Sequence, residues 1–199
     1  MKKTILLLCV LALGKFAAAQ IIFQESGDMK MLAGEKKIAL QYDFSSFDMG
    51  NDTSETAYLK SRRDELNAKG GNRGDNFVER WHNNKAAHWE VKFEELFNKY
   101  SKIQGQQNIT DAKYTMIIKT NTVFPGLMNV GLMSGVTPYI SCNILIVETA
   151  HPDKVLSNTL IKHVMGAQCG MLPDDPGLCV QEAYARLAKD LVAYMKKNM

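Results

Sequence analysis

Beyond its first twenty residues the chain has no apolar run long enough to cross a bilayer, no low-complexity tract and no convincing internal repeat. These absences exclude further membrane spans, a biased linker and a solenoid, and leave about 180 residues, a length that suits one domain with a sizeable core. Charge excess is also missing once the leader is set aside. Residues 1–19 contain Lys2, Lys3 and Lys15 and no acid, so the basic count falls from 24 to 21, against 21 acidic residues. A formally neutral chain gives no electrostatic case for nucleic acid or anionic lipid as a partner.

Reactive constellations are scarce as well. The four histidines are His82, His88, His151 and His163. His82 and His88 are six apart, which does not set them on one helical face as a zinc-binding His pair requires. Gly126, Gly131 and Gly135 lack both the Lys-Ser/Thr ending of a phosphate loop and the helix that a dinucleotide fingerprint opens. Asp174 and Asp175 sit in Pro-Asp-Asp-Pro-Gly, a turn before it is a calcium cage. Arg73-Gly74-Asp75 spells an adhesion tripeptide, but reads first as a glycine-rich helix connection ending in an Asp cap. No motif calls for a cofactor. Cys142 paired with one of the histidines would make a thiol nucleophile and its base, yet no local signature supports the pairing, and a strand cysteine is ordinarily a small buried hydrophobe.

What is present begins with a leader. Lys2 and Lys3 precede an apolar stretch over 5–14, and Ala17-Ala18-Ala19 stands before Gln20, the layout of a secretory signal over 1–19 followed by one exported domain over 20–199. An uncleaved anchor is the alternative. Residues 114–123 and 139–147 are apolar, β-branched runs joined by a Pro- and Gly-punctuated connector, and read as the centre of the sheet. Ile38, Leu40, Tyr42 and Phe44 alternate with polar neighbours. With residues 29–32 they predict a hairpin across Ala33-Gly34-Glu35-Lys36.

Ser54 predicts a cap for a surface helix ending at Gly70-Gly71. A second helix starting near Asp75 carries an aromatic stripe from Phe77 through Trp81, Trp89, Phe93 and Phe97 that should cover the sheet. Asn83-Asn84 marks a break or bend in it. Residues 101–112 read as a polar connector, and 160–165 as a further strand. Val180, Ala183, Tyr184, Leu187, Leu191 and Met195 form the clearest helical stripe in the chain. The order predicts an α+β two-layer sandwich, with a mostly antiparallel sheet of about four to five strands and helices on one face. A crossover through the helical pair would set the Tyr114 strand parallel to the Ile38 strand if they are neighbours.

Ala112-Lys-Tyr-Thr-Met-Ile-Ile-Lys119, Phe124-Pro-Gly126, Asn129-Val-Gly131, the helix around Trp81 and Phe97, and Gln181-Glu-Ala-Tyr-Ala-Arg-Leu-Ala-Lys189 resemble a family of uncharacterised exported proteins of Gram-negative bacteria. The resemblance covers most of the exported domain and implies no known activity and no catalytic residues. Strands backed by a terminal helix are also similar, at fold level, to small periplasmic domains of envelope assembly proteins.

The resulting expectation is a non-catalytic periplasmic or cell-envelope component that binds another envelope protein or a small ligand. An exported enzyme of hydrolase type is the alternative. The connector residues Phe124, Pro125, Gly126, Leu127, Met128 and Val130 are the candidate binding surface, because apolar side chains there would form a patch if exposed; core filling is the first reading of the same side chains. Cys169 and Cys179 flank a loop rich in turn formers and form the expected disulfide, with Cys142 left as a buried thiol.

Two measurements check these expectations. The protein from native cells should begin at or within a residue or two of Gln20 by terminal mass analysis, whereas retention of Lys2 in a membrane fraction would identify an anchor. Non-reducing peptide mapping should return a Cys169–Cys179 peptide. Cys179→Ser should then lower stability by about 2 to 3 kcal/mol.

Overall fold

The computed structural model describes residues 21–126, 136–167 and 175–199. The expected signal over 1–19, Cys169, and Leu127, Met128 and Val130 lie outside the described residues. A six-stranded sheet runs in the order β1-β6-β5-β4-β2-β3. Its strands are β1 (Ile21–Ser26), β2 (Lys37–Asp43), β3 (Gln104–Gln107), β4 (Tyr114–Phe124), β5 (Tyr139–Glu148) and β6 (His151–Met165). The helices are α1 (Glu55–Ala68), α2 (Arg73–Asn84), α3 (Glu90–Tyr100) and α4 (Pro176–Asn198).

The sheet is larger than the expected four to five strands and is mixed, not mostly antiparallel. Strand β2 is parallel to both β3 and β4, while β4, β5, β6 and β1 form an antiparallel series. The parallel neighbours arise because the helical excursion from β2 returns the chain in the same direction, as the crossover argument requires. The expected hairpin is corrected: residues Lys30–Leu32 form a short 3-10 turn, not a strand. Leu32 and Met29 instead plug into the core.

Helix α1 begins where its cap was expected, with the Ser54 hydroxyl accepting from the Ala57 N–H at 3.2 Å, which satisfies one of the otherwise unpaired first-turn donors. Helix α2 begins two residues before Asp75, so Asp75 is not its cap. That carboxylate lies in the first turn, accepting from Arg63 Nε at 2.8 Å and Asn67 Nδ2 at 3.1 Å. Gly74 allows α1 and α2 to meet, since a Cβ there would lie 2.1 Å from the Arg63 carbonyl oxygen. The adhesion tripeptide is thereby part of a helix junction.

The bend expected at Asn83-Asn84 is a π-helical turn over Lys85–Trp89 that joins α2 to α3. Its effect on packing follows from the spacing. Trp81 and Trp89 are eight apart, which in a straight α-helix puts them about 80° out of line. One extra residue absorbed in a π turn restores the alignment. The indoles meet edge to face, with centroids 5.5 Å apart.

The core lies between this helix, α4 and one sheet face. Trp89 stacks on Tyr184 at 5.5 Å and 13°, and Phe93 meets Tyr42 of β2 edge-on at 5.9 Å. Trp89 Nε1 donates to the Gly177 carbonyl at 2.7 Å, and Asn84 Nδ2 donates to Asp175 Oδ1 at 2.6 Å, so the end of α2 and the π turn fix the start of α4. Tyr184 reaches through to the sheet and shares a 2.8 Å hydrogen bond with Thr120 of β4. Cys142 of β5 is a free, wholly buried thiol beside Thr120. Burial pushes its pKa up to about 12, so it is neutral and inert, and the Tyr184 hydroxyl is raised for the same reason.

The β3 edge is closed by a side chain. Asn98 of α3 donates Nδ2 to the Gly105 carbonyl at 2.8 Å and accepts the Gly105 N–H at 2.7 Å, occupying backbone groups that an edge strand otherwise leaves unpaired. Gln107 adds a 3.0 Å bond to the Glu90 carboxylate.

Two outcomes are expected. Tyr184→Phe should lower stability in urea by about 1 to 2 kcal/mol, through the buried hydroxyl partner it abandons, and Tyr184→Ala by about 3 to 5 kcal/mol. Burial, the largest cause, raises the Glu90 and Glu94 carboxyls above their ordinary values. The folded state therefore holds these protons more tightly than the unfolded state. Stability should fall as pH rises from the ordinary carboxylate range through the raised folded values. Urea titrations against pH should show that slope, and Glu90→Gln should flatten it and stabilise the protein at neutral pH.

Candidate functional site

Strand residues that do not face the helices form an open face, and its composition is unusual for a sheet. Asparagine is depleted in strands because it competes with the ladder for hydrogen bonds. Here Asn121 of β4, Asn143 of β5 and Asn158 of β6 lie on one diagonal, and Glu25 of β1 ends it. Asn121 Nδ2 donates to Asn143 Oδ1 at 2.5 Å. Asn143 Nδ2 donates to Asn158 Oδ1 at 2.7 Å and to Glu25 Oε2 at 2.9 Å. Asn158 Nδ2 donates to the same Glu25 oxygen at 2.7 Å. Four strands are thus linked by side chains above their backbone ladder.

Two bulges set the line. The β4 register shifts between Thr120 and Thr122, and the β1 register between Gln24 and Ser26. A bulge re-aims the side chains that follow. It keeps Thr120 pointed at Tyr184 on the buried side while Thr122 lines the groove on the other.

At the β4 end of the diagonal, the loop over 45–54 folds onto the sheet through Asp48. Its N–H donates to the Asn121 carbonyl at 3.0 Å, and its carbonyl accepts from the Val123 N–H at 2.8 Å. The carboxylate accepts from Thr122 Oγ1 at 2.9 Å and from the Gly50 N–H at 2.6 Å. Gly50 has φ +84°, and a Cβ on it would lie 2.9 Å from the Tyr139 hydroxyl and 3.0 Å from Phe124 Cβ. Glycine is required here on both counts.

Across from this loop, His163 has φ +53°, uncommon for a residue with a side chain. Its N–H donates to Ser141 Oγ at 3.3 Å. The imidazole lies 4.9 Å from the Tyr139 ring, which stacks on Phe124 at 5.1 Å. Phe124, Tyr139 and His163 therefore make a row from β4 across β5 to β6. Burial, and then the Asp48 carboxylate, raise the Tyr139 pKa, so the phenol stays a neutral donor.

Tyr139 and His163 of the row, Asn121 and Asn143 of the diagonal, and Asp48 and Asp52 of the loop line a groove of about 360 Å³. A second depression of about 450 Å³, lined by residues that include Glu25, Lys119 and Asn158, adjoins it at Asn143. Both are shallow and open.

The candidates read from sequence land unevenly. Of the expected connector surface, Phe124 stacks on Tyr139 in the aromatic row but is not among the residues that line the groove, and Gly126 has φ +83°. Cys142 faces the helices and His163 the groove, so this thiol and imidazole are on opposite sides of the sheet and make no catalytic pair. Cys179 is buried in the first turn of α4, and its pairing with Cys169 remains a proposal. Among the described residues no group of three or more His, Cys, Asp or Glu is placed to hold a metal ion, and no helix is long and apolar enough to cross a membrane. Sequence reasoning missed the asparagine diagonal. Its signal was available, because Asn121 and Asn143 interrupt runs otherwise suited to strands.

No protein-family model matches the chain, and no curated protein matches it significantly. Among solved structures the chain is similar to a PelC dodecamer from Paraburkholderia phytofirmans, with 10% identity, 87% of this chain and 98% of that chain covered, and a TM-score of 0.39. It is similar also to a single-substitution form of that dodecamer, with 10% identity, 86% and 98% covered, and a TM-score of 0.37.

Proposed function

We propose that this chain is a non-catalytic binding component of the periplasm or cell envelope, and that its partner docks on the open face of the sheet. The observation that carries the reading is the diagonal of Asn121, Asn143, Asn158 and Glu25 beside an open groove. Carboxamides neither take nor give a proton in ordinary chemistry, whereas they donate and accept hydrogen bonds at once. A row of them held in place by one another is built for recognition. Preorganisation of this kind lowers the ordering cost of binding. The envelope setting is supported by the secretory signal expected over 1–19.

The second reading, an exported hydrolase, is favoured by one feature: His163, Ser141 and Asp48 line the same groove. Against it, the hydrogen bond between His163 and Ser141 uses the histidine backbone N–H, not the imidazole, so the base and hydroxyl lack the side-chain contact that activates a nucleophile.

A photo-crosslinking side chain placed at Lys119, beside the diagonal, should give a discrete adduct in native cells, and one placed at Lys60 of α1 should give none. Equal adducts from both positions would overturn the docking surface. Hydrolytic turnover that His163→Ala abolishes without loss of fold would establish the enzyme reading instead.

A further inference from the structure

Resting on the reading of the open face as a binding surface, we propose that its ligand is a neutral, hydroxyl-rich chain, an uncharged oligosaccharide lying along the asparagine diagonal with one ring against the Phe124–Tyr139–His163 row. Four features of the face support this assignment. The two depressions adjoin at Asn143 and are open along their length, which suits an extended chain and not an enclosed small molecule.

Their charges nearly cancel. Glu25, Asp48 and Asp52 stand against Lys119 and Lys162, so a ligand with many charges of one sign gains no net attraction and meets repulsion at one end or the other. Each asparagine amide has two donor hydrogens and two acceptor lone pairs, and the diagonal occupies only part of that capacity. A sugar hydroxyl, which donates and accepts, fits the remainder better than a carboxylate or an ammonium, each of which does only one.

The fourth feature is the aromatic row. Successive ring centroids are 5.1 Å and 4.9 Å apart, so the rings cover one another's facing sides, and the half-exposed outer rim of the row is an apolar surface against which the C–H groups of a sugar ring pack. An extended peptide is the competing occupant. Peptides that add to sheets pair with backbone groups at an edge, whereas this groove lies on the face of β4, β5 and β6, each of which already has a neighbour on both sides.

The test is isothermal titration of the exported domain with cellohexaose, mannohexaose and chitohexaose, with oligogalacturonate as the acidic probe and an uncharged extended decapeptide as the peptide probe. Saturable binding of at least one neutral oligomer, weakened about tenfold or more by Tyr139→Ala and by Asn143→Ala, supports the proposal, provided both variants melt cooperatively. Asn121→Ala, at the end of the diagonal, serves as a further variant should either fail to fold, and Lys60→Ala should bind as the unaltered protein does. Binding of only oligogalacturonate or the peptide, with the same dependence on Tyr139 and Asn143, overturns the ligand class and leaves the docking surface intact. Neutral-oligomer binding indifferent to all groove variants overturns both. Failure of every probe overturns the ligand class, and the Lys119 crosslink then decides the surface separately.

Discussion

The stack of Trp89 on Tyr184, carried through to Thr120, is the contact on which the rest of the architecture depends. It joins the three parts that must meet: the helix that leaves β2, the terminal helix, and the middle of the sheet. Trp89 is held at its other end by the Gly177 carbonyl, and Tyr184 by the Thr120 hydroxyl, so two large aromatic bodies are buried with their polar tips satisfied. The π turn before Trp89 belongs to the same contact. Without its extra residue, either Trp81 or Trp89 would rotate out of the layer.

Covering one face this completely determines what the other can be. Helices α3 and α4 absorb the apolar alternation of β2, β4, β5 and β6, and leave Lys119, Asn121, Asn143, Asn158, Lys162 and His163 with the opposite orientation. Such residues would be costly beneath a second layer, because partly paired amides lose more in desolvation than they regain. On an open face they are stable, since water and their neighbours share the pairing. The bulge in β4 places residues two apart on opposite faces, sending Thr120 inward to Tyr184 and Thr122 outward to the groove.

This asymmetry also explains how much was legible in the sequence. Helix α4, the Ser54 cap, the two central strands and the parallel pairing of β2 with β4 follow from periodicity, turn chemistry and crossover logic, and the structure bears them out. The strands that were missed are the edges. Gln104–Gln107 has no apolar residue at all, and Ile21–Ser26 leaves its apolar side chains largely exposed, so neither carries the buried-face pattern by which strands are recognised. Their stability is tertiary, from Asn98 pairing with Gly105 on one edge and from pairing with β6 on the other. Residues 29–32 failed in the opposite direction: an apolar cluster suggested a strand where a 3-10 turn delivers the same side chains to the core. Asn121 and Asn143 stand out within their strand runs, but that they meet Asn158 and Glu25 is not legible in the sequence, because the four are far apart along the chain and come together only through register and bulge.

Positions 142 and 143 are adjacent in β5 and lie on opposite faces, so they test the one-sided architecture most directly. In a chain carrying Asn143→Cys, alkylation by iodoacetamide at mildly alkaline pH, followed by peptide mapping, should modify position 143 rapidly and leave Cys142 unmodified until the protein is unfolded. Comparable labelling of Cys142 in the folded protein, or protection of position 143 when no ligand is added, would contradict the account.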